Sequence, residues 1–214
     1  MRLAILADLH GHLPDVPPCD VLLVGGDVRP GAATETDAEV AFLDGPFRAW
    51  LEAVPAGHVV GIAGNHDFVF DRHPELVPRD LPWTYLEDTA TTVAGLTIWG
   101  SPWTPWFFDW AFNAPKEDGE DYLAGLYRAV PEATDVVLVH GPPAGYGDTT
   151  ARGRRVGSSA LLDLVDRVQP RLCAFGHIHE GRGAWDRGAT RLVNAAAVDL
   201  EYALVADPVV VVDL

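Results

Sequence analysis

The chain reads as an α/β protein with ligand-bearing strand ends, and three features predict this. Short apolar runs close on Asp or Gly, a strand, helix, strand order opens the chain, and five such runs stop on a residue able to hold a metal ion. Residues 2–7 and 20–25 are apolar with little alternation, the pattern of strands buried on both faces. Between them and the third strand, residues 35–54 place Val40, Phe42, Leu43, Phe47, Trp50, Leu51 and Val54 at near-helical spacing, with acidic residues early in the segment. Gly45-Pro46 is expected to break or kink that helix, because proline lacks the N–H an inner turn uses. Residues 58–63 form a third strand, and the strand, helix, strand order implies a parallel crossover.

Residues 67–86 are proline-rich and read as loop. Segments 91–93 and 96–100, joined through Ala94-Gly95, read as a hairpin. A helix over 119–130 leads to a strand over 135–139, and a glycine-rich loop over 141–157 leads to a helix over 158–168 that Ser158 or Ser159 can cap. Strands at 171–175 and 191–194 and closing segments at 203–206 and 209–212 suggest a second sheet. No repeat, low-complexity tract or linker divides the sequence, so residues 1–214 read as one domain, two small ones being the alternative.

Charge narrows the partners. A formal charge of −16, from 31 acidic residues against 15 Lys and Arg, argues against long nucleic acid or an anionic membrane and favours a small substrate. Cys19 and Cys173 form no CxxC pair and are expected to be reduced, buried thiols. The N-terminal apolar stretch meets Asp8 almost at once, with no cleavage site, and no run approaches a membrane helix, so a soluble, cytoplasmic protein is expected.

The strand ends carry the chemistry. Asp8 and His10, Asp27, Asn65, His140, and His177 with His179 each follow an apolar run, and in an open α/β sheet such ends share one rim. Carboxylate, amide and imidazole donors with no thiolate suit Mn, Fe or Zn, and two such ions clamp a phosphoryl centre. Asp27, after two glycines that allow close approach, is the candidate bridge between them. Asp8-Leu9-His10 and His177-Ile178-His179 offer paired ligands if their backbones are extended. His66 follows Asn65 and is free to act as general acid, with Asp67 placed to orient its ring.

In order and spacing, Asp8-Leu9-His10, Gly26-Asp27, Gly64-Asn65-His66-Asp67, Val139-His140-Gly141 and Gly176-His177-Ile178-His179 resemble the calcineurin-like metallophosphoesterase superfamily. Gly100-Ser101-Pro102-Trp103, His140-Gly141-Pro142-Pro143 and Phe175-Gly176-His177-Ile178-His179-Glu180-Gly181 look like its metallophosphoesterase-domain-containing branch, which is related to class III cyclic-nucleotide phosphodiesterases. The resemblance implies a four-layer α/β/β/α sandwich of two mixed sheets flanked by helices. It implies one ion on Asp8, His10, Asp27 and His179, and a second on Asp27, Asn65, His140 and His177. His66 would protonate the leaving oxygen as a metal-bound hydroxide attacks phosphorus in line. Some members of the branch lack one metal histidine and are weak catalysts; this chain keeps His177, so a competent enzyme is expected.

The expected reaction is hydrolysis of a small phosphodiester, cyclic nucleotides leading by resemblance. The alternatives are a phosphomonoesterase acting on a nucleotide or sugar phosphate, and a nucleotide-binding scaffold with weak turnover. Residues 103–112 hold six of the twenty aromatics and read as a stacking wall for substrate, as loop packing, or as the contact of a homodimer. Arg152, Arg154, Arg155 and Arg182 are candidates to steer phosphate, against a plain solvated role; His12 is either a substrate contact or a loop residue.

Overall fold

Alternate residues of the buried strands face two different cores, and this places two sheets back to back. The computed structural model describes residues 1–31 and 35–214. The first sheet contains β1 (Arg2–Leu6), β2 (Cys19–Gly25), β3 (Ala56–Ile62), β4 (Thr84–Tyr85) and β11 (Val210–Asp213). The second contains β5 (Thr89–Val93), β6 (Leu96–Ser101), β7 (Val136–Val139), β8 (Leu172–Phe175), β9 (Gly183–Arg187) and β10 (Thr190–Asn194). Their orders are β11-β1-β2-β3-β4 and β5-β6-β7-β8-β10-β9. The inner strands pair in parallel, while β11, β5 and β9 pair antiparallel at the edges.

Leu3, Ile5, Val21, Leu23, Val60 and Ile62 of the first sheet meet Ile98, Val136, Leu138 and Leu172 of the second. The alternate residues Ala4, Leu6, Leu22 and Val24 turn away onto Phe42, Leu43, Phe47 and Trp50. On the far side, Val137, Val139, Cys173 and Phe175 pack against α4 (Gly119–Tyr127) and α5 (Ser159–Val168). Helix, sheet, sheet and helix therefore form four layers. Each fully buried Leu, Ile or Val contributes roughly 1.5–3 kcal/mol through the water it no longer orders.

The helix over residues 35–54 is bent rather than ended by its proline. α1 (Thr36–Phe42) runs through a π turn, Leu43–Phe47, into α2 (Arg48–Ala53), and Pro46 sits inside that turn, where the widened ladder tolerates a missing N–H. Ser158 caps α5: its hydroxyl accepts the Leu161 N–H at 3.1 Å, while Glu120 of α4 accepts from Ser159 Oγ at 2.7 Å and Ala160 N–H at 2.8 Å.

Several expectations change. Residues 203–206 form no strand, and the 209–212 segment becomes β11, which returns to the first sheet and covers the edge of β1 instead of joining the second. β4, β9 and a short α3 (Phe68–Arg72) were not anticipated; β9 alternates half-buried with exposed positions and carries Gly and Asp, so no apolar run marks it. Cys173 is buried, and burial pushes its thiol up to about 12, but Cys19 is only partly buried. No described helix is long and apolar enough to cross a membrane.

Candidate metal centre

The carboxyl ends of β1, β2, β3, β7 and β8 meet along one rim, and the loops leaving them are stitched to each other. Asp8 N–H donates to Gly26 O at 3.0 Å, His10 N–H to Asp27 O at 2.8 Å, and Gly176 N–H to His140 O at 2.9 Å. Asp8, His10, Asp27 and His177 all adopt positive φ (55°, 44°, 54° and 68°). Asp8 and His10 are thus presented by two left-handed residues around buried Leu9, not by an extended segment. Such residues cost about 1–2 kcal/mol each and persist where the surroundings over-determine them, a situation concentrated at functional sites.

Glycines make the approach sterically feasible. A Cβ on Gly64 would lie 2.3 Å from Asp27 Oδ1, and one on Gly176 would lie 2.1 Å from Asp8 Oδ2. Gly26, at φ +91°, instead lets its loop press on Ala63 O, where a Cβ would stand 2.5 Å away. Gly26 thus serves loop packing.

Asp27 is the hub. Its Oδ2 lies 3.4 Å from His140 Nε2, 3.7 Å from His10 Nε2 and 4.0 Å from His66 Nε2, while Oδ1 accepts the His66 N–H at 2.7 Å. Asp8 accepts the His177 N–H and stands 3.5 Å from His179 Nε2. Asn65 Oδ1 is 2.9 Å from His140 Nε2. Three groups of potential ligand atoms, each within 4.8 Å of one another, result: Asp8, His10 and His179; Asp8, Asp27 and His140; and His10, Asp27 and His66. His177 belongs to none of these groups; its ring lies beside that of His140, with centroids 5.1 Å apart. His140 Nδ1 is 2.8 Å from Gly25 O and His179 Nδ1 is 3.0 Å from Asp199 O, contacts that fix ring orientation as outer partners of metal-binding histidines do.

The residues fit a divalent cation. Both ring nitrogens of buried His10, and Nδ1 of His66, have no hydrogen-bond partner, and an unsatisfied buried polar atom costs about 1–3 kcal/mol. Asp8 and Asp27 are buried, and among the described residues neither has a Lys or Arg within 4 Å. Oxygen and imidazole donors of this kind serve Mn, Fe and Zn.

Electrostatics agree. Burial opposes the charge on Asp27, but His140 and His66 outweigh it and hold the carboxyl well below its ordinary value; Asp8 is also lowered, chiefly by His179 against its own burial. Burial works against a proton on His140 too, yet Asp27 and Asp8 raise it to about 9, while burial lowers His10 to about 4 and His177 to about 3. At neutral pH the metal-free cluster therefore stores a proton on His140, which a cation must displace. Metal uptake near pH 7 is expected to release at least one proton per chain, His140 foremost and His179, which Asp8 also raises against burial, contributing further, and affinity to rise with pH until about 9, as read by titration in weakly buffered solution. Uptake without proton release would contradict this.

Two proposed roles change. Asp67 does not orient the His66 ring: its oxygens accept the N–H groups of Val28 (2.9 Å), Arg29 (3.2 Å) and Gly64 (2.8 Å), binding the β2 and β3 loops together. Arg182 donates to the carbonyls of Ala196 and Asp207 at 2.5 and 2.6 Å and so holds the C-terminal loop. His12 Nε2 contacts Tyr202 O at 2.9 Å.

Three contacts were not read from the sequence. Tyr202 packs its ring against those of His10 and His179 at 4.7 and 5.4 Å, from a loop with no local signal. Trp110, within the aromatic segment, tilts over the His66 ring at 4.2 Å. Buried Arg29 donates through Nε to His66 O and places its guanidinium 5.1 Å from the Phe68 ring, holding the His66 loop from behind.

Comparison with known proteins agrees with this geometry. Residues 1–181 match the calcineurin-like phosphoesterase family. The chain is 34% identical over 239 residues to human metallophosphoesterase domain-containing protein 1, covering 98% of this chain and 70% of that protein. A UPF0046 protein of Caenorhabditis elegans is 30% identical over 224 residues, covering 94% and 75%. Among solved structures, phosphopantetheinyl hydrolase (PptH) from Mycobacterium tuberculosis shares the fold with a TM-score of 0.58 at 15% identity, covering 94% of this chain and 90% of that one. With its strand-end carboxylates and histidines gathered at one rim, the chain belongs to the calcineurin-like phosphoesterase family of hydrolases, in its metallophosphoesterase-domain-containing branch.

Proposed function

We propose that the protein is a metal-dependent phosphodiesterase acting on small diesters, with cyclic nucleotides first among the candidates by resemblance. One observation carries the diester over the monoester. The cavity over the cluster, about 180 Å³, is lined by His66, His177, Phe107, Tyr202 and Glu180 among others, and by no described Lys or Arg. A diester brings one negative charge; beyond the ions themselves, the second charge of a monoester would face Glu180 with no side-chain cation beside it.

In this reading Asp8, His10, Asp27 and His179 hold one divalent ion (Mn, Fe or Zn), and Asp27, Asn65, His140 and His177 a second. Ions so held supply Lewis acidity to the phosphoryl group and acidify water. His66 donates a proton to the leaving oxygen. Burial keeps its imidazole below the ordinary value while Asp27 acts the other way, and the charge of an incoming phosphodiester shifts it further toward the protonated form a donor needs. Trp110 and Arg29 keep the ring and its backbone in place. The charge of −16 supports a small rather than polymeric substrate, and the two unpaired cysteines support a reducing, cytoplasmic setting.

Metal-stripped protein reloaded with Mn, Fe, Zn or Mg in turn is expected to cleave bis(4-nitrophenyl) phosphate with roughly ten-fold higher kcat/KM than 4-nitrophenyl phosphate. A preference for the monoester would overturn the diesterase reading in favour of a phosphomonoesterase.

A further inference from the structure

Next to the metal cavity lies a second groove of about 410 Å³ that shares His177 and Phe107 with it and is also lined by Trp106, Arg154 and Arg155. Trp106 and Phe107 are 45% and 48% exposed, so neither ring is spent on the core. Among the described residues neither Arg154 nor Arg155 has a carboxylate within 4.0 Å; several other arginines are likewise without one, and what sets these two apart is that both line this groove. A third cation is close: Lys116 Nζ lies 4.8 Å from the centre of the Trp106 ring.

The loop carrying the arginines is built, not trailing. Thr149 bridges antiparallel to Arg155, Thr150 N–H donates to Arg154 O at 2.9 Å, and Val156 N–H donates to Asp148 O at 3.0 Å. Ala151 N–H donates to Glu180 Oε1 and so ties the loop to the turn that carries His179. Unpaired guanidiniums on a fixed backbone beside exposed ring faces present two recognition chemistries together, stacking for a flat ring and forked donors for an anion.

We propose that this groove holds one ester substituent of the phosphodiester, and that this substituent is a ring system bearing an anionic group of its own, as in a nucleoside diester that carries a further phosphate. The proposal rests on the phosphodiesterase reading and revises its order of candidates: a plain cyclic mononucleotide, first by resemblance, leaves the arginines uncovered, so a diester with a further anionic group is preferred over it. Arg154 and Arg155 are then specificity residues that touch the substrate away from the reacting phosphorus.

The test compares the 4-nitrophenyl ester of thymidine 5′-phosphate with the same ester carrying a 3′-phosphate. In the metal-loaded enzyme the 3′-phosphate is expected to raise kcat/KM about ten-fold, an advantage that shrinks with added salt. In the Arg154→Ala/Arg155→Ala variant the ratio of the two esters is expected to fall to near one. A ratio near one in the unaltered enzyme, or a ratio that survives the double substitution, overturns the proposal. Binding of thymidine 3′,5′-bisphosphate, followed by tryptophan fluorescence, separates the two readings. About ten-fold weaker binding in the double variant supports the groove, and equal binding overturns it. Arginine-dependent binding with no hydrolysis of any diester would overturn the phosphodiesterase reading while the preference of the groove for an anionic ring stands.

Discussion

Asp27→Ala is expected to empty the metal centre and lower turnover by a factor of about 10³ or more, the scale set by removing a group that anchors the whole catalytic constellation. The effect follows from the central place of this side chain. One oxygen lies within 4.0 Å of His10, His66 and His140, and the other accepts the His66 N–H. Its removal deletes a donor shared by both proposed ions and strips the part-buried His66 N–H of its acceptor. His140 would also lose the first of the charges that raise it to about 9, so its hold on the stored proton would weaken. Metal analysis per chain, with circular dichroism as a control on folding, checks the result. Two ions bound and near-normal turnover in the variant would remove Asp27 from the bridging position.

His66→Ala is expected to reduce kcat by about 10² to 10⁴, the usual contribution of a positioned general acid, while metal content stays near two per chain. The ring lines the cavity and is packed by Trp110, so it is placed to meet a leaving group. The same measurement separates a competing role. His10, Asp27 and His66 form one of the ligand clusters, so a drop to one ion per chain would make His66 a ligand rather than a donor. Unchanged turnover would exclude both.

Much of this architecture was legible residue by residue. Runs such as Leu3 to Ala7 and Val21 to Gly26 are apolar at every position because both faces are covered, one by the other sheet and one by helices. The hairpin around Ala94-Gly95 and the Ser158 cap were readable because turn and cap chemistry is local. β11 was misplaced because an edge strand chooses its partner by what edge is free, a choice made far from its own sequence. Asp67 was misread for a related reason: adjacency to His66 suggested a contact, but the carboxylate turns back to the N–H groups of Val28, Arg29 and Gly64.

By itself the sequence determined the α/β class, the buried strands and the set of carboxylates and imidazoles at their ends, because each depends on hydropathy and residue chemistry read along a few neighbouring positions. Only the tertiary structure decided that Tyr202 and Trp110 border the imidazoles, that Arg182 is spent on backbone carbonyls, and that Arg154 and Arg155 flank a groove. Those outcomes depend on left-handed turns, on glycines with no room for a Cβ and on loops far apart in the chain meeting at one rim. Side-chain direction in such loops is set by the packing of their neighbours and not by the letters beside them.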